Sequence, residues 1–271
     1  MARIRKRRQR TKQKNTAGLI IIGTVFSLIA VMGYYWYQFK SKQHNIDPVT
    51  LCTEGSTPEY VALIFDKTDA YNQIQQRFLT RFFEEFKAKL QAGTHISLYH
   101  IDDKKLDPIQ ADYEVCAPRT GEDANALYEN PKLIKQRWRE QFEIPLDRII
   151  VDFMKPGNAD YSPILEILQV VSLSAFPVQS QKVKKKIIII SDMLHHTREW
   201  SHYRGQMSFK EFEKTQYFQK VRTDLHGAEV IILYVRRDGA VNLQTKRHAY
   251  FWADYIQAIG GQVSVIEKID G

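Results

Sequence analysis

The stretch Val61-Ala-Leu-Ile-Phe-Asp66-Lys-Thr68-Asp69 is an unbroken apolar run that ends at a carboxylate and is followed, two positions later, by a hydroxyl. A continuous apolar run of this kind predicts a strand that is buried on both faces, as in a parallel sheet covered by helices. In such sheets, ligands bind at the carboxyl ends of the strands. We therefore expect Asp66 and Thr68 at the carboxyl edge of a central strand.

Strands and helices are expected to alternate along the rest of the chain. Apolar residues spaced four apart between Ile74 and Leu90 predict an amphipathic helix after the central strand. Two further apolar runs, Lys186-Ile-Ile-Ile-Ile-Ser-Asp192 and Ala228 to Val235, predict buried strands. This alternation predicts an α/β fold with a doubly wound, mostly parallel sheet flanked by helices.

Three finer predictions concern the sheet edge and the other helices. A short edge strand is expected near Tyr113 to Cys116. The dipeptide Asn130-Pro131 predicts a helix start, and Pro145 is expected to interrupt that helix. A capping box at Ser208 is expected to open one helix that ends near Gly227.

The formal net charge of +8 resides in the N-terminal tail. The first 14 residues contain eight Lys and Arg and no acid, which equals the whole net charge, so the rest of the chain is neutral overall. A neutral folded part gives no reason to expect a nucleic-acid partner. The tail, residues 1–15, is instead expected to contact anionic lipid.

An uncharged apolar segment follows the tail. Residues 16–39 carry no charged side chain, and about 20 apolar residues suffice for a helix to cross the hydrocarbon layer. The run Tyr34-Tyr-Trp-Tyr37 is typical of an interfacial aromatic belt, whereas a cleaved signal peptide ends in small residues. We therefore predict one uncleaved transmembrane helix over residues 16–39 of an inner (plasma) membrane protein. Because the basic residues precede it, the N-terminus is expected in the cytoplasm and the C-terminal domain in the periplasm.

The predicted exported part consists of a polar linker, residues 40–58, and an α/β domain, residues 59–271. It contains the only two cysteines, Cys52 and Cys116. Disulfides persist in oxidising compartments, so a bond between them is expected. Two buried free thiols are the alternative.

Three motifs place oxygen-bearing side chains near expected helix starts or strand ends: Asp66-Lys-Thr68-Asp-Ala70, Ser162-Pro-Ile-Leu-Glu-Ile-Leu168 and Ile187-Ile-Ile-Ile-Ser-Asp192. This set resembles the von Willebrand factor A (vWA) domain, over about residues 58–269. That family has a strand ending Asp-x-Ser-x-Ser, a later loop that donates a Thr at a helix start, and an apolar strand ending in Asp. The resemblance implies a vWA-like sheet with a metal-ion-dependent adhesion site.

The resemblance also implies that Asp66, Thr68, Ser162 and Asp192 surround a Mg²⁺ ion, directly or through water. Hard divalent cations take such oxygen ligands in near-octahedral geometry. Ala70, however, stands where the family has its second serine, and its side chain offers no oxygen. A site that depends on ligand count is weakened by this loss, so a degenerate metal site and a metal-free site both stay open.

These features predict a membrane-anchored interaction module, and not an enzyme. We expect it to recruit or organise protein partners of a membrane-associated complex through the carboxyl edge of the sheet. The residues expected to contact the partner are Trp200, Tyr203 and Arg204, because aromatic residues and arginine favour interface cores. The alternative is a membrane-anchored, divalent-metal-dependent hydrolase or phosphatase that uses Asp66 and Asp192.

Two other kinds of site receive little support from the sequence. No Gly-rich phosphate loop precedes any expected helix, which disfavours nucleotide hydrolysis. A soft-metal site at His195, His196 and His202 is a weaker alternative, because no cysteine or paired acid completes the ligand set.

Overall fold

A computed structural model describes residues 21–37, 46–53, 57–101, 110–125, 127, 129–157, 159–177 and 182–271. Contacts between residues divide the chain into two units, Met1–Asn45 and Ile46–Gly271. All the strands of the sheet belong to the second unit.

In the first unit, residues 21–37 form a helix. Within the part of the chain that the structure describes, no helix combines the length and the apolar character needed to cross a membrane. The predicted span, residues 16–39, extends past this helix at both ends into residues outside the described ones, and it stays a prediction. The predicted tail, residues 1–15, and part of the linker, residues 40–58, also lie outside the described residues.

Six strands form one sheet at the centre of the second unit. They are β1 (Glu59–Asp66), β2 (His95–Ile101), β3 (Tyr113–Cys116), β4 (Lys184–Ser191), β5 (Glu229–Val235) and β6 (Gln262–Ile269). Their order is β3-β2-β1-β4-β5-β6, and neighbours are parallel except for β2 and β3, which are antiparallel. The predicted α/β fold with a mostly parallel sheet is confirmed, and so is the edge strand Tyr113–Cys116.

The two central strands, β1 and β4, are buried on both faces. The side chains from Val61 to Phe65 and from Ile187 to Ile190 are at most 1% exposed. Successive side chains of a strand point to opposite faces, so Ala62 and Leu63 belong to different hydrophobic cores. Helices cover both faces, which explains why these strands are apolar at consecutive positions.

Helices flank the sheet on both faces. The α- and π-helices that the structure describes in the second unit are α1 (Gln73–Lys89), α2 (Pro131–Trp138), a π-helix (Arg139–Glu143), α3 (Ile144–Phe153), α4 (Ile164–Ser174), α5 (Phe209–Phe212), α6 (Gln216–Val221) and α7 (Lys246–Ala258). Residues of α1, the π-helix and α3 form one core with the sheet, and residues of α4, α5, α6 and α7 form the other.

The predicted interruption at Pro145 needs correction, because the chain continues through it as a helix. The amide of Ile144 donates to the Arg139 carbonyl, five residues back, which is the hydrogen bond of a π turn. Pro145 then lies in the first turn of α3, where the absence of a backbone N–H is tolerated. The extra residue in the π turn therefore lets the helix pass the proline without a break.

The predicted single helix after Ser208 also needs correction. Ser208 makes no capping hydrogen bond through its side chain, and the segment forms two short helices, α5 and α6. The second helix has its own cap, because the Phe218 amide donates to Thr215 Oγ1 at 3.1 Å. A capping residue in the middle of the segment starts a new helix there.

Cys52 and Cys116 form a disulfide, as predicted. It joins the segment before β1 to the edge strand β3. The Cys116 amide also donates to the Thr50 carbonyl at 2.7 Å, so the same segment is held by a backbone hydrogen bond.

The strand order creates a crevice at the carboxyl edge of the sheet. From β1 the chain continues to β2 and β3 on one side, then crosses to β4 on the other side and proceeds outward to β5 and β6. The connections that leave β1 and β4 therefore diverge, and ligands of doubly wound sheets bind at this topological switch point.

Candidate binding site at the carboxyl edge of the sheet

The four residues that the vWA resemblance assigns to a metal lie at the carboxyl edge of β1 and β4. Asp66 is the last residue of β1, and Thr68 lies in the loop that follows. Ser162 lies two residues before α4, and Asp192 directly follows β4. The parallel pairing of β1 and β4 brings the two carboxylates to the same edge, where they are 0% and 2% exposed.

Hydroxyl groups surround the Asp66 carboxylate. Its Oδ1 accepts hydrogen bonds from the Thr68 amide at 3.0 Å and from Thr68 Oγ1 at 2.6 Å. Its Oδ2 accepts from Ser191 Oγ at 2.6 Å and from Ser162 Oγ at 3.4 Å. An ionised carboxylate offers about four acceptor sites, so these contacts occupy Asp66 fully.

Sequence reasoning missed Ser191 as a member of this site. Its hydroxyl donates to Asp66 and accepts from the Met193 amide at 2.8 Å. The sequence signal for Ser191 was its hydroxyl at the end of an apolar strand, directly before Asp192. From this position at the edge of the sheet, a side chain can reach the neighbouring strand.

The Asp192 carboxylate has one neutral and one cationic partner. Its Oδ1 accepts from the Leu194 amide at 2.8 Å, and its Oδ2 lies 3.3 Å from Arg237 Nε. Burial raises the pKa of Asp192, and the negative charge of Asp66 raises it further, whereas the Leu194 amide and Arg237 lower it. Arg237 therefore supplies the compensating charge for Asp192.

Arg237 follows β5 and reaches back to the loop after β1. Its guanidinium donates through Nη1 to the Ala70 carbonyl and through Nη2 to the Asp69 carbonyl at 3.4 Å. Its charged end also lies 5.6 Å from the centre of the Tyr71 ring. One side chain thus joins the loops that leave β1, β4 and β5.

The Gln244 side chain fixes Arg237 from behind. Its Oε1 accepts from the Arg237 amide at 2.8 Å, and its Nε2 lies 2.7 Å from the Val235 carbonyl and 3.1 Å from the Asp192 carbonyl. Sequence reasoning missed both residues. For Arg237 a signal existed, because it stands just past a buried strand, as Thr68 does.

In the described geometry, protein groups already contact the oxygens that the resemblance assigns to Mg²⁺. Mg²⁺ demands near-octahedral oxygen ligands at about 2.0–2.1 Å. The oxygens of Asp66 are occupied by hydroxyl and amide donors, and Asp192 is paired with a guanidinium. At Ala70 the available oxygen is the backbone carbonyl, which accepts from the same guanidinium. Mg²⁺ binding by Asp66, Thr68, Ser162 and Asp192 stays a prediction.

Among the described residues, one other group of side chains brings possible metal-ligand atoms together. Ligand atoms of Cys52, His95 and Cys116 lie within 4.8 Å of one another. The two sulfur atoms are joined in the disulfide, so they are not thiolate ligands.

The loop after Asp192 divides the three predicted partner-contacting residues. Trp200 is only 5% exposed, and its ring centre lies 4.8 Å from that of Phe212 in the core. Tyr203 is 50% exposed and Arg204 is exposed as well. The side chain of Trp200 therefore serves core packing, and the loop presents Tyr203 and Arg204 to solvent.

Two contacts give this loop a defined shape. Ser162 and His196 exchange backbone hydrogen bonds of 2.9 and 3.0 Å, which tie the loop to the segment before α4. The Arg204 guanidinium donates to the Arg198 carbonyl at 3.1 Å. Tyr203 is thus displayed on a loop that is held at both ends.

Three buried histidines, His195, His202 and His248, lie beneath this loop with 0% exposure. The Met193 carbonyl lies 2.9 Å from His248 Nε2 and accepts from Trp252 Nε1 at 2.8 Å. Burial lowers the pKa of all three histidines, to about 3 for His195 and to about 4 for His248. The cluster is therefore uncharged at neutral pH.

The soft-metal alternative gains no support from the positions of its three histidines. His195 Nδ1 faces the Leu165 amide at 3.4 Å, whereas His196 Nδ1 lies 2.8 Å from Ser201 Oγ. Among the residues that the structure describes, His195, His196 and His202 do not form a group with converging ligand atoms.

An open cleft of about 480 Å³ lies beside the carboxylate pair. Its walls include Asp69, Asn72, Tyr203, Arg236, Arg237 and Asp238. The cleft therefore connects the exposed face of Tyr203 to the guanidinium that compensates Asp192.

No protein-family model matches the chain, and no curated protein sequence matches it.

Proposed function

We propose that residues 59–271 form a protein-interaction module of the vWA type, which binds a partner in the cleft at the carboxyl edge of the sheet. The observation that carries this proposal is the cleft itself. It lies at the topological switch point, where doubly wound sheets bind ligands, and it is lined by Tyr203, Arg236 and Arg237. Tyrosine and arginine are enriched at protein interfaces.

Burial of the carboxylates favours binding over hydrolysis. A catalytic acid or base has to come within hydrogen-bond reach of its substrate. Asp66 and Asp192 are 0% and 2% exposed, and both oxygens of each carboxylate already accept hydrogen bonds. The hydrolase alternative would require both groups to exchange these partners for a metal and a substrate.

We further propose that residues 16–39 anchor the module in the inner membrane as a single transmembrane helix. The support comes from the sequence: the segment is uncharged, and eight basic residues precede it. The N-terminus would lie in the cytoplasm and the module in the periplasm, with the tail, residues 1–15, on anionic lipid. The disulfide agrees with an oxidising compartment. The partners would then be proteins of a membrane-associated complex.

A position-specific photo-crosslink in the full-length chain tests the binding site. A photoreactive phenylalanine analogue replaces Tyr203 in the cleft or, as a matched control, Tyr250, which is an exposed tyrosine of α7 outside the cleft lining. In membranes of the source cells, we expect a discrete protein adduct from position 203 and none from position 250.

The same adduct should disappear when the cleft is filled. Ala70→Phe adds a large side chain to the cleft wall and leaves the Ala70 carbonyl in place for Arg237. Equal adducts from both positions, or an adduct that survives Ala70→Phe, would show that the partner binds elsewhere.

A further inference from the structure

We propose that Arg237 is the built-in cation of the carboxyl-edge site, so that the site needs no divalent metal ion. This inference rests on the proposed function for the role of the site in partner binding. The contacts of Arg237 themselves do not depend on that function. It follows from three features of the arginine: the oxygens that surround it, the contacts that fix it, and the saturation of the neighbouring carboxylate.

Oxygens from two loops converge on the guanidinium. Asp192 Oδ2 approaches Nε at 3.3 Å, and the carbonyls of Ala70 and Asp69 accept from Nη1 and Nη2. A carboxylate and carbonyl oxygens are also what a hard cation would use. Here they surround a planar cation that is always charged and has its donors in a fixed fork.

Ala70 is the position at which this arrangement departs from the vWA pattern. With a methyl side chain, residue 70 contributes to the site only through its backbone, and that carbonyl is directed at Arg237. The residue that lacks a side-chain ligand for a metal is therefore a direct partner of the arginine.

Contacts on its other sides keep Arg237 in this place. The backbone amide of Arg237 donates to Gln244, which is itself bound to the Val235 and Asp192 carbonyls. The aromatic ring of Tyr71 lies against the guanidinium, and the side chain is only 15% exposed. Arg237 is therefore a half-buried residue held by contacts on several sides, which a freely moving surface arginine would lack.

A divalent ion would have to displace several of these interactions together. It would repel the guanidinium beside Asp192, and it would compete with the hydroxyls of Thr68 and Ser191 for the oxygens of Asp66. Removing the charge of Arg237 reverses the balance, because Asp192 is then left uncompensated beside Asp66. A neutral residue at position 237 should therefore open the site to a divalent ion.

Thermal unfolding of the full-length chain in detergent tests this inference, with Mg²⁺ and Mn²⁺ as probes. We expect the melting temperature of the chelator-treated wild type to be unchanged by millimolar concentrations of either ion. Ala70→Ser restores a hydroxyl but retains Arg237, so it should also ignore both ions. The double variant Ala70→Ser/Arg237→Gln should melt a few degrees higher when either ion is added.

Electron paramagnetic resonance of Mn²⁺ checks that the ion binds, and circular dichroism checks that each variant is folded. Arg236→Gln combined with Ala70→Ser is the matched control, because it removes a neighbouring positive charge that does not contact Asp192. It should gain no ion binding. A wild-type or Ala70→Ser chain that binds either ion would overturn the inference, as would a folded double variant that binds neither.

The photo-crosslink from position 203 separates this inference from the proposed function. We expect the yield of the adduct to be the same in the presence of a chelator as in the presence of Mg²⁺. An adduct that forms only with Mg²⁺ would overturn the metal-free site and keep the binding function. Absence of any adduct, with no ion bound by the wild type, would count against the binding function alone.

Discussion

Two buried polar clusters adjoin each other at the carboxyl edge of the sheet. They differ in how their ionisable side chains are accommodated away from water, because one contains an ion pair and the other is uncharged. In the carboxylate cluster, Asp66 and Asp192, the guanidinium of Arg237 pairs with Asp192, and hydroxyl groups donate to Asp66. The histidine cluster, His195, His202 and His248, carries no charge at neutral pH because burial lowers the pKa of each ring. Buried ionisable groups require either a partner charge or neutralisation, and this protein uses both within one edge of the sheet.

Met193 connects the two clusters. Its amide donates to Ser191 Oγ, which donates to Asp66, and its carbonyl accepts from Trp252 on the histidine side. Its φ of 62° lies in the left-handed region, which costs about 1–3 kcal/mol for a residue other than glycine. Such a conformation persists where the surroundings fix it, and here hydrogen bonds from both clusters do so.

Acid should have the largest effect, and it should act on the histidine side. In the unfolded chain each histidine has a pKa near 6.5, and in the folded protein burial holds the pKa of His195, His202 and His248 below that value. Below pH 6.5 these histidines therefore bind more protons in the unfolded state than in the folded state. Their contribution to the free energy of unfolding is fully present at neutral pH and decreases as the pH falls. Each histidine should contribute a loss of about 2 kcal/mol to the urea-unfolding free energy between pH 7 and pH 5, and Asp192 should offset part of the total because its raised pKa favours the folded state in acid.

Two histidine variants locate the origin of this loss. His248→Gln should make the pH dependence between pH 7 and pH 5 less steep, because one buried ring is removed. His226→Asn is the control outside the buried cluster, because His226 is exposed. The assignment to the buried cluster fails if both variants keep the slope of the wild type.

Removal of the compensating charge should have the next largest effect, on the carboxylate side. Arg237→Leu leaves Asp192 buried without its partner, and loss of one member of a buried pair costs about 3–5 kcal/mol. Because burial and Asp66 raise the pKa of Asp192, acid should protonate it and lessen the penalty. The difference in unfolding free energy between wild type and variant should therefore be smaller at pH 5 than at pH 8.

Arg236→Leu is the matched control for this prediction. Arg236 lies next in the chain and donates to the Gln244 carbonyl, but it has no contact with Asp192. Its replacement should cost about 1 kcal/mol at both pH values. A loss for Arg237→Leu that equals the control, or that does not depend on pH, would contradict the role given to Arg237.

A smaller effect should follow from weakening the connection between the clusters. Trp252→Phe removes the N–H that binds the Met193 carbonyl, and we expect a loss of about 1–3 kcal/mol. The Leu194 amide, which donates to Asp192, should exchange its hydrogen faster even though it lies on the carboxylate side. Trp138→Phe, a similar change in α2, should leave that amide unaffected in hydrogen-exchange mass spectrometry.

The smallest effect on stability is expected for the exposed tyrosine of the loop. Tyr203→Ala should change the free energy of unfolding by no more than about 0.5 kcal/mol, because the side chain is half exposed and outside both clusters. Partner binding should nevertheless weaken. Tyr250→Ala should change neither quantity, and a large destabilisation by Tyr203→Ala would assign this residue to the framework of the loop.

The sequence was most informative where the signal is local and periodic. The consecutive apolar residues before Asp66 and Asp192 were sufficient to predict two central strands, each followed by a carboxylate at its C-terminal end. Hydrophobic periodicity reports which element forms and which face is buried, and parallel strands bring their carboxyl ends together. The gathering of Asp66, Thr68 and Asp192 at one edge follows from those two facts.

Contacts between distant loops were not predictable in the same way. Arg237 meets Ala70 across 167 positions of the chain, and no periodic pattern encodes which loop an arginine reaches. His248 and His202 are polar residues within otherwise ordinary segments, and their burial depends on α7 packing under the loop after β4. Trp200 is buried in the core, and the sequence did not indicate this because an aromatic residue in a loop can fill a core as readily as an interface.

The hydrogen bond between Gln244 and Arg237 also determines when, during synthesis of the chain, the carboxyl edge of the sheet can fold. Arg237 leaves the ribosome 45 residues after Asp192, and Gln244 follows later still. A nascent chain that ends between Asp192 and Arg237 therefore contains both acids and lacks the arginine that pairs with Asp192. Synthesis from the N-terminus thus delays completion of this edge until residue 244 of 271 has emerged, and premature termination before residue 244 should yield a product that quality-control proteases remove.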